Sequence, residues 1–217
     1  PVVASLNRVF MGDWYIETGE LLEDTKPRRA VTTERERTQR EAAELDCQIL
    51  PSGPGFGDEN NLQVFVSLLY TAKRRISITS PYFVPDGSIM NALRAATARG
   101  VDVELFVSEI GDQAMVWHAQ RSYYEELLNA GVRIWMYRPP YILHSKHFTV
   151  DNDVAVVGSS NMDPRSFGLN MEISMVVHGE SFVRDLDEIN DSYRANSREL
   201  TAEEWSRQSL PSQLLDN

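Results

Sequence analysis

An α/β fold, with a mixed sheet flanked by helices, is predicted from three features of the 217-residue chain. Helix-like and strand-like apolar patterns alternate: NLQVFVSLLYTAK precedes RRISITS, SIMNALRAATARG precedes VDVELFVS, and DQAMVWHAQRSYYEELLNAG precedes VRIWMY. Strands of this kind leave two faces to be covered, and the intervening helices are what cover them. HSKHFTV and VAVVG, joined by an acidic turn, read as a hairpin on the rim of the same sheet. MEISMVV then adds a strand and ESFVRDLDEINDSYRANS a closing helix.

Taken in order, PVVASLNRVFMGDWYIETGE has no initiating methionine and reads as continuing protein. The run KPRRAVTTERERTQREAAEL mixes both charge signs, which marks a solvated connector over 21–45 with local helix over 33–45. DCQILPSGP begins a new element. PSGPGFGDEN is a loop whose glycines lack both the lysine of a phosphate-binding loop and the spacing of a dinucleotide fingerprint. PYFVPD is a loop stiffened by Pro81 and Pro85, in which Tyr82 and Phe83 are suited either to substrate contact or to packing. The segment DQAMVWHAQRSYYEELLNAG is expected to run as one long helix. Its Trp117, Tyr123 and Tyr124 fit core packing, and His118 fits either a pocket or a packed helix face. Asp163 can cap a new helix whose first position suits Pro164, because the missing backbone donor is not needed there. In the closing helix Phe182, Leu186 and Ile189 are expected to face the core, and a short helix is expected over 202–208.

Composition narrows the function. With 21 Lys+Arg against 32 Asp+Glu, the net charge of −11 disfavours broad attraction to DNA or RNA, so no nucleic-acid partner is expected. A single cysteine, Cys47, rules out an intrachain disulfide. No apolar stretch is long enough to span a bilayer and no signal peptide is evident, so the isolated chain is expected to be soluble. No His/Cys/Asp group has metal-ligand spacing, and chemistry without metal or cofactor is expected.

The chemistry concentrates in HSKHFTVDNDVAVVGSSN. In a strand, His144, Lys146, Phe148 and Val150 share one face, whereas Ser145, His147 and Thr149 point the other way, so His147 is the weaker catalytic histidine. A turn at Asp151-Asn152-Asp153 returns Gly158-Ser159-Ser160-Asn161 towards His144. Imidazole can attack phosphorus or protonate a leaving oxygen, lysine can neutralise a phosphate oxygen, and Asn161 can donate directional hydrogen bonds. Arg165 can reach a phosphate or form a surface ion pair. The combination points to phosphodiester chemistry.

H-S-K, four residues, Asp151, six residues and then G-S-S-N resembles the signature of the phospholipase D superfamily. The longer stretches ITSPYFVPD, SEIGDQAMVWHAQRSYYEELLNAGVRIW and DPRSFGLNMEISMVV are similar to bacterial cardiolipin synthases, and the likeness runs from about Gly12 onward. It implies a phospholipase D-like mixed sheet flanked by helices. It also implies a phosphatidyltransferase with two such motifs, in which one histidine forms a phosphohistidine and the other protonates the departing alcohol.

One complete motif is present here. On this resemblance, 1–20 is the end of a missing first catalytic half, 21–45 the connector, 46–198 the second phospholipase D-like domain and 199–217 a C-terminal tail. His144 takes the acid/base role by analogy, and the sequence leaves its assignment against the nucleophile open. Lys146 and Asn161 hold phosphate, Ser160 adds a local hydrogen bond, Asp151 serves the turn, and Glu172 orients an imidazole or is a strand-edge charge. The implied reaction transfers a phosphatidyl group between phosphatidylglycerol molecules with release of glycerol. In the full-length protein it takes place at the cytoplasmic membrane, to which helices ahead of the first half anchor the enzyme. The alternatives are a phospholipase D or nuclease-like hydrolase and a noncatalytic lipid-binding or oligomerisation fragment; the candidate partners are the missing half or a second copy.

Overall fold

The computed structural model describes residues 2–23 and 45–207. Most of the expected connector, the helix expected over 33–45 and the tail beyond residue 207 lie outside the described residues. In chain order the elements are α1 (Val2–Thr18), β1 (Asp46–Ser52), α2 (Asn60–Thr71), β2 (Arg75–Thr79), α3 (Gly87–Ala98), β3 (Asp102–Ser108), α4 (Ala114–Arg121), α5 (Tyr124–Asn129) and β4 (Arg133–Tyr137). They continue with β5 (His147–Val150), β6 (Val154–Gly158), α6 (Pro164–Gly168), β7 (Glu172–His178), α7 (Glu180–Ala195), β8 (Ser197–Leu200) and α8 (Ala202–Ser206).

The strands form one mixed sheet in the order β1-β7-β6-β5-β2-β3-β4-β8. β2, β3 and β4 are parallel to one another, as their helical crossovers require, and every other neighbouring pair is antiparallel. Alternation along the strands separates two faces. Ile76, Ile78, Leu105, Phe148, Val150 and Val156 enter the main core with Phe65 and Leu69 of α2, Leu93 of α3 and Tyr124 and Leu127 of α5. The intervening residues Ser77, Thr79, Glu104, His147 and Thr149 are also buried, but on the face towards α7.

Several elements depart from the sequence expectation. α1 forms where no element is expected, and it ends at Gly19, whose positive φ of 71° allows its N–H to reach the Tyr15 carbonyl at 2.8 Å. The expected long helix breaks at Ser122-Tyr123: the Ser122 hydroxyl donates to the Ala119 carbonyl at 2.7 Å and the Tyr123 N–H to the Gln120 carbonyl at 3.2 Å, a tightened turn that redirects Tyr124 into the core. In α7 the buried positions are Val183, Leu186 and Asn190; Ile189 is 43% exposed, because the polar Asn190 occupies the inward position beside it. The sheet runs through Leu200, and Trp205 of α8 packs edge-on against Tyr124 with ring centroids 5.3 Å apart. No helix among the described residues is long and apolar enough to cross a membrane.

The β5–β6 turn is held from outside the hairpin. Asp151 has a φ of 53°, and its carboxylate accepts the backbone N–H groups of Lys73 at 3.1 Å, Arg74 at 2.7 Å and Arg75 at 3.0 Å. Burial alone would raise its pKa, but these donors outweigh burial and lower it below the ordinary carboxylate value. A depressed carboxylate pKa contributes stability above the unfolded pKa and loses it as pH falls through the folded one. Asp151→Asn, which tolerates the same backbone, is expected to destabilise the chain at pH 7 by about 1–2 kcal/mol in urea unfolding. The gap from wild type should close as pH falls through the folded-state pKa; a pH-independent gap would reject the ionised cap.

Candidate active site

One edge of the sheet gathers the motif. Thr79 pairs with His147, His147 with Val157, Gly158 with Ser174 and Ser52 with Glu172, so β1, β2 and β6 end where β5 and β7 begin. Gly158 is needed for the last approach: a Cβ there would lie 2.5 Å from the Ile173 carbonyl oxygen. Gly53, at φ +115°, serves likewise after β1, since a Cβ would meet the Asn170 oxygen at 2.1 Å, just ahead of Glu172.

β5 starts at His147, so His144 and Lys146 stand on the approach to the strand and not within it. Ladder geometry nevertheless reaches Lys146, whose carbonyl accepts the Gly158 N–H at 3.1 Å. The preceding turn is pinned by Ser108, whose hydroxyl accepts the Leu143 N–H at 2.8 Å and donates to the Leu143 carbonyl at 3.3 Å. From the other face, the Tyr193 hydroxyl donates to Ser145 Oγ at 3.4 Å, and His147 Nε2 bonds Asn190 Oδ1 at 2.9 Å. Residues 143, 145 and 147 are therefore tied to the scaffold. The side chains of 144 and 146 are left to each other.

Lys146 Nζ lies 2.9 Å from His144 Nδ1 and donates to the His144 carbonyl at 2.8 Å. A protonated ammonium has no lone pair, so Nδ1 must accept, and the proton of the neutral imidazole sits on Nε2. His144 is thus arranged as an Nε2–H donor, while Lys146 keeps one N–H for another ligand. Burial lowers the Lys146 pKa, and the carboxylates of Glu172, Asp112 and Asp163 oppose that shift.

The remaining predicted residues divide. The Asn161 N–H donates to Ser166 Oγ at 3.1 Å, while its buried Oδ1 has no partner among the described residues. Ser160 is occupied structurally: its hydroxyl accepts from Asn61 Nδ2 at 3.1 Å and donates to the Asn161 carbonyl at 3.2 Å. Its neighbour Ser159, which the sequence reading passed over, is the exposed serine, and it donates a short hydrogen bond to Glu172 Oε2. Glu172 also accepts from Asn170 Nδ2 at 3.3 Å. Its hydrogen-bond partners are thus neighbours across β6 and β7 and not the His144 ring. Asp163 caps α6 through the Ser166 N–H at 2.8 Å, with Pro164 at the first turn as expected.

Tyr82 stands edge-on to His144, with ring centroids 6.2 Å apart at 90°. Phe83, its partner as a candidate substrate contact, is fully buried in the core, which removes its side chain from the site. Arg165 is exposed on α6. His118 packs edge-on against Trp117, with centroids 4.9 Å apart. A cavity of about 10 Å³ beside Lys146, lined by Ser80, Ser160 and Ser174, has room for about one water, so the edge presents its chemistry outward.

Comparison with known proteins bears on the family and the fold. Residues 65–193 match the family model described as cardiolipin synthase, PLD-like domain. Cardiolipin synthase A of Yersinia pseudotuberculosis serotype O:1b (strain IP 31758) is 37% identical over 210 residues, covering 97% of this chain and 42% of that protein; cardiolipin synthase A of Yersinia pestis matches to the same extent. The chain thus spans about 42% of the length of these curated relatives. Among solved structures, Nuc of Salmonella typhimurium, a phospholipase D family member, superimposes with a TM-score of 0.60 at 26% identity, covering 73% of this chain and 99% of that one. A phosphatidylserine synthase of Haemophilus influenzae Rd KW20 shares the fold, with a TM-score of 0.65 at 17% identity over 96% of this chain and 50% of that one.

Asn190 is the site-supporting residue that sequence reasoning missed, because an asparagine in a helix ordinarily reads as solvent-facing. Asn190→Leu should leave the buried His147 nitrogen unpaired and cost about 1–3 kcal/mol in chemical denaturation. Burial lowers the His147 pKa, and the Asn190 hydrogen bond opposes that shift. Below about pH 6.5 the unfolded chain therefore binds a proton that the folded chain refuses, and stability falls towards acid until the folded-state pKa is reached. His147→Gln should flatten that part of the profile; an unchanged slope would refute the assignment.

Proposed function

The chain belongs to the cardiolipin synthase, PLD-like domain family, and on that premise we propose that it supplies one of two motifs of a phosphatidyltransferase acting on phosphatidylglycerol. The observation that carries the reading is the Lys146–His144 pair, in which ammonium donation to Nδ1 leaves the imidazole proton on Nε2. A histidine of the other motif attacks phosphorus, the P–O bond to glycerol breaks, and His144 Nε2–H gives its proton to the departing oxygen as Nδ1 takes one from the Lys146 ammonium. A second phosphatidylglycerol hydroxyl then attacks the phosphohistidine. His144 Nε2 takes that hydroxyl's proton as Nδ1 returns one to Lys146, and the P–N bond breaks, giving cardiolipin. Lys146 and Asn161 stabilise the phosphoryl oxygens, with Glu172 holding Ser159 at the rim.

In this reading 46–198 is the core of the second phospholipase D-like domain. The other motif lies in the part of the relatives' length that this chain does not span, where anchoring to the cytoplasmic membrane would also reside. Water in place of the lipid alcohol would make the same steps a hydrolysis. A second copy of the chain is a further route to two motifs, favoured by the near-complete coverage of the Nuc chain by this one domain.

Full-length protein in phosphatidylglycerol vesicles is expected to release glycerol in step with cardiolipin, with little phosphatidic acid. His144→Ala should lower turnover by about 10²–10⁴-fold. Wild-type turnover in that variant would reject the proton-transfer role. Predominant formation of phosphatidic acid would reject transfer in favour of hydrolysis, and activity of the 217-residue chain alone, rising with the square of its concentration, would favour the two-copy arrangement.

A further inference from the structure

Three carboxylates act on Lys146, and their partners set them apart. Glu172 accepts from Ser159 and Asn170, and the buried Asp163 caps α6 through the Ser166 N–H. Asp112 is exposed in the loop after β3, and among the described residues its hydrogen bonds come from one hydroxyl, that of Tyr82, at 2.8 and 2.9 Å from its two oxygens. One proton shared between two oxygens leaves most of the carboxylate's lone pairs facing outward. Gln113, also exposed, donates from Nε2 to the Tyr82 oxygen at 3.1 Å, which directs its own Oε1 away from that contact. The Tyr82 ring joins this group to His144 at a centroid distance of 6.2 Å.

A carboxylate is a poor neighbour for a phosphodiester, since like charges repel, but it is a strong acceptor for an alcohol O–H. We propose that Asp112, Gln113 and the Tyr82 hydroxyl form a binding site for the hydroxyls of a polyol headgroup, placed beside the phosphate position of His144 and Lys146. This rests on the phosphodiester reading of that site and names the part of the substrate the reading leaves unassigned. The carboxylate takes one hydroxyl of a 1,2-diol as donor; the Gln113 carboxamide, with both an acceptor and a donor, takes the next. A headgroup ammonium would use the carboxylate alone and leave the amide's donor idle. The site therefore discriminates by hydroxyls, and it lies where it would hold glycerol as leaving group or the glycerol hydroxyl of the incoming lipid.

The test measures binding, which does not depend on turnover. Full-length protein is titrated by calorimetry with glycerophosphoglycerol, with glycerophosphoethanolamine and with dimethyl phosphate, which has no headgroup hydroxyl. Wild type should prefer glycerophosphoglycerol to dimethyl phosphate by about tenfold. Asp112→Asn should weaken glycerophosphoglycerol by a similar factor while dimethyl phosphate binds as well or better, because a negative charge beside Lys146 has gone. Opposite signs are the expected result. Equal changes for the two ligands, or a larger loss for glycerophosphoethanolamine, would overturn the proposal. Loss of transfer activity with the headgroup preference intact would refute the transferase reading and leave this site standing.

Discussion

The buried polar face of the sheet dictates where α7 lies, and the rest of the active edge depends on that placement. Glu104 is fully buried in β3, an arrangement that costs several kcal/mol unless the charge is met by cations in good geometry. Burial alone would raise its pKa; Arg75 at 2.5 Å and Arg194 at 2.8 Å reverse that and lower it. Trp135 Nε1 adds a further donor at 3.2 Å. Arg194 lies one turn beyond Asn190 on α7, so the residue that satisfies Glu104 and the residue that satisfies His147 and Ser77 share a helix face. Sliding α7 by one residue would strip a buried carboxylate of one of its cations and orphan a buried imidazole together. Apolar contacts, here Val183 and Leu186 against Ala155 and Val157, tolerate such a slip far better.

That register reaches the chemistry through the alternation of side chains. Tyr193 and Asn190 hold residues 145 and 147 from behind, and Ser108 holds residue 143. His144 and Lys146 consequently project from a segment whose every other residue is anchored, although only residues 147–150 belong to a strand. Rigidity at a strand entrance, where backbone ladders give out, is provided here by side chains of a distant helix. On the opposite side, Asp151 ties the far end of the hairpin to the amides that precede β2. Both ends of β5 are thus fixed by polar contacts remote in sequence.

This also explains what could be read from the chain in advance. Period-two and helical patterns located the strands and most helices because those depend on local apolar spacing, and they put His147 on the face away from Lys146. Asp163-Pro164 was legible for the same reason, as a local cap. The break at Ser122-Tyr123 was not, since the helical pattern continues through it and the burial of Tyr124 decides the bend. Asn190 escaped notice because its value lies 43 positions away in His147, and Phe83 stayed open between substrate contact and packing because its burial depends on Met162 and Gln120 from other elements. Ser160 and Ser159 are adjacent and chemically alike; contacts from distant elements separate them, Asn61 holding the buried Ser160 and Glu172 and Ile173 the exposed Ser159.

The charges around Lys146 impose the last constraint. Glu172, Asp112 and Asp163 favour the protonated form of a partly desolvated ammonium whose pKa burial lowers, and by the same field they oppose an anion beside it. Two of the three lysine N–H groups are already given to His144, so this motif alone offers a phosphodiester one ammonium proton, the imidazole N–H and the amide of Asn161. On the proposed reading such a site would bind phosphate weakly by itself. In the two-motif chemistry proposed above, a second lysine arrives with the second histidine, and the balance turns favourable only when both motifs meet. Electrostatics would then couple substrate capture to assembly of the complete site, so that the nucleophile meets a phosphodiester only where the proton donor is already in place.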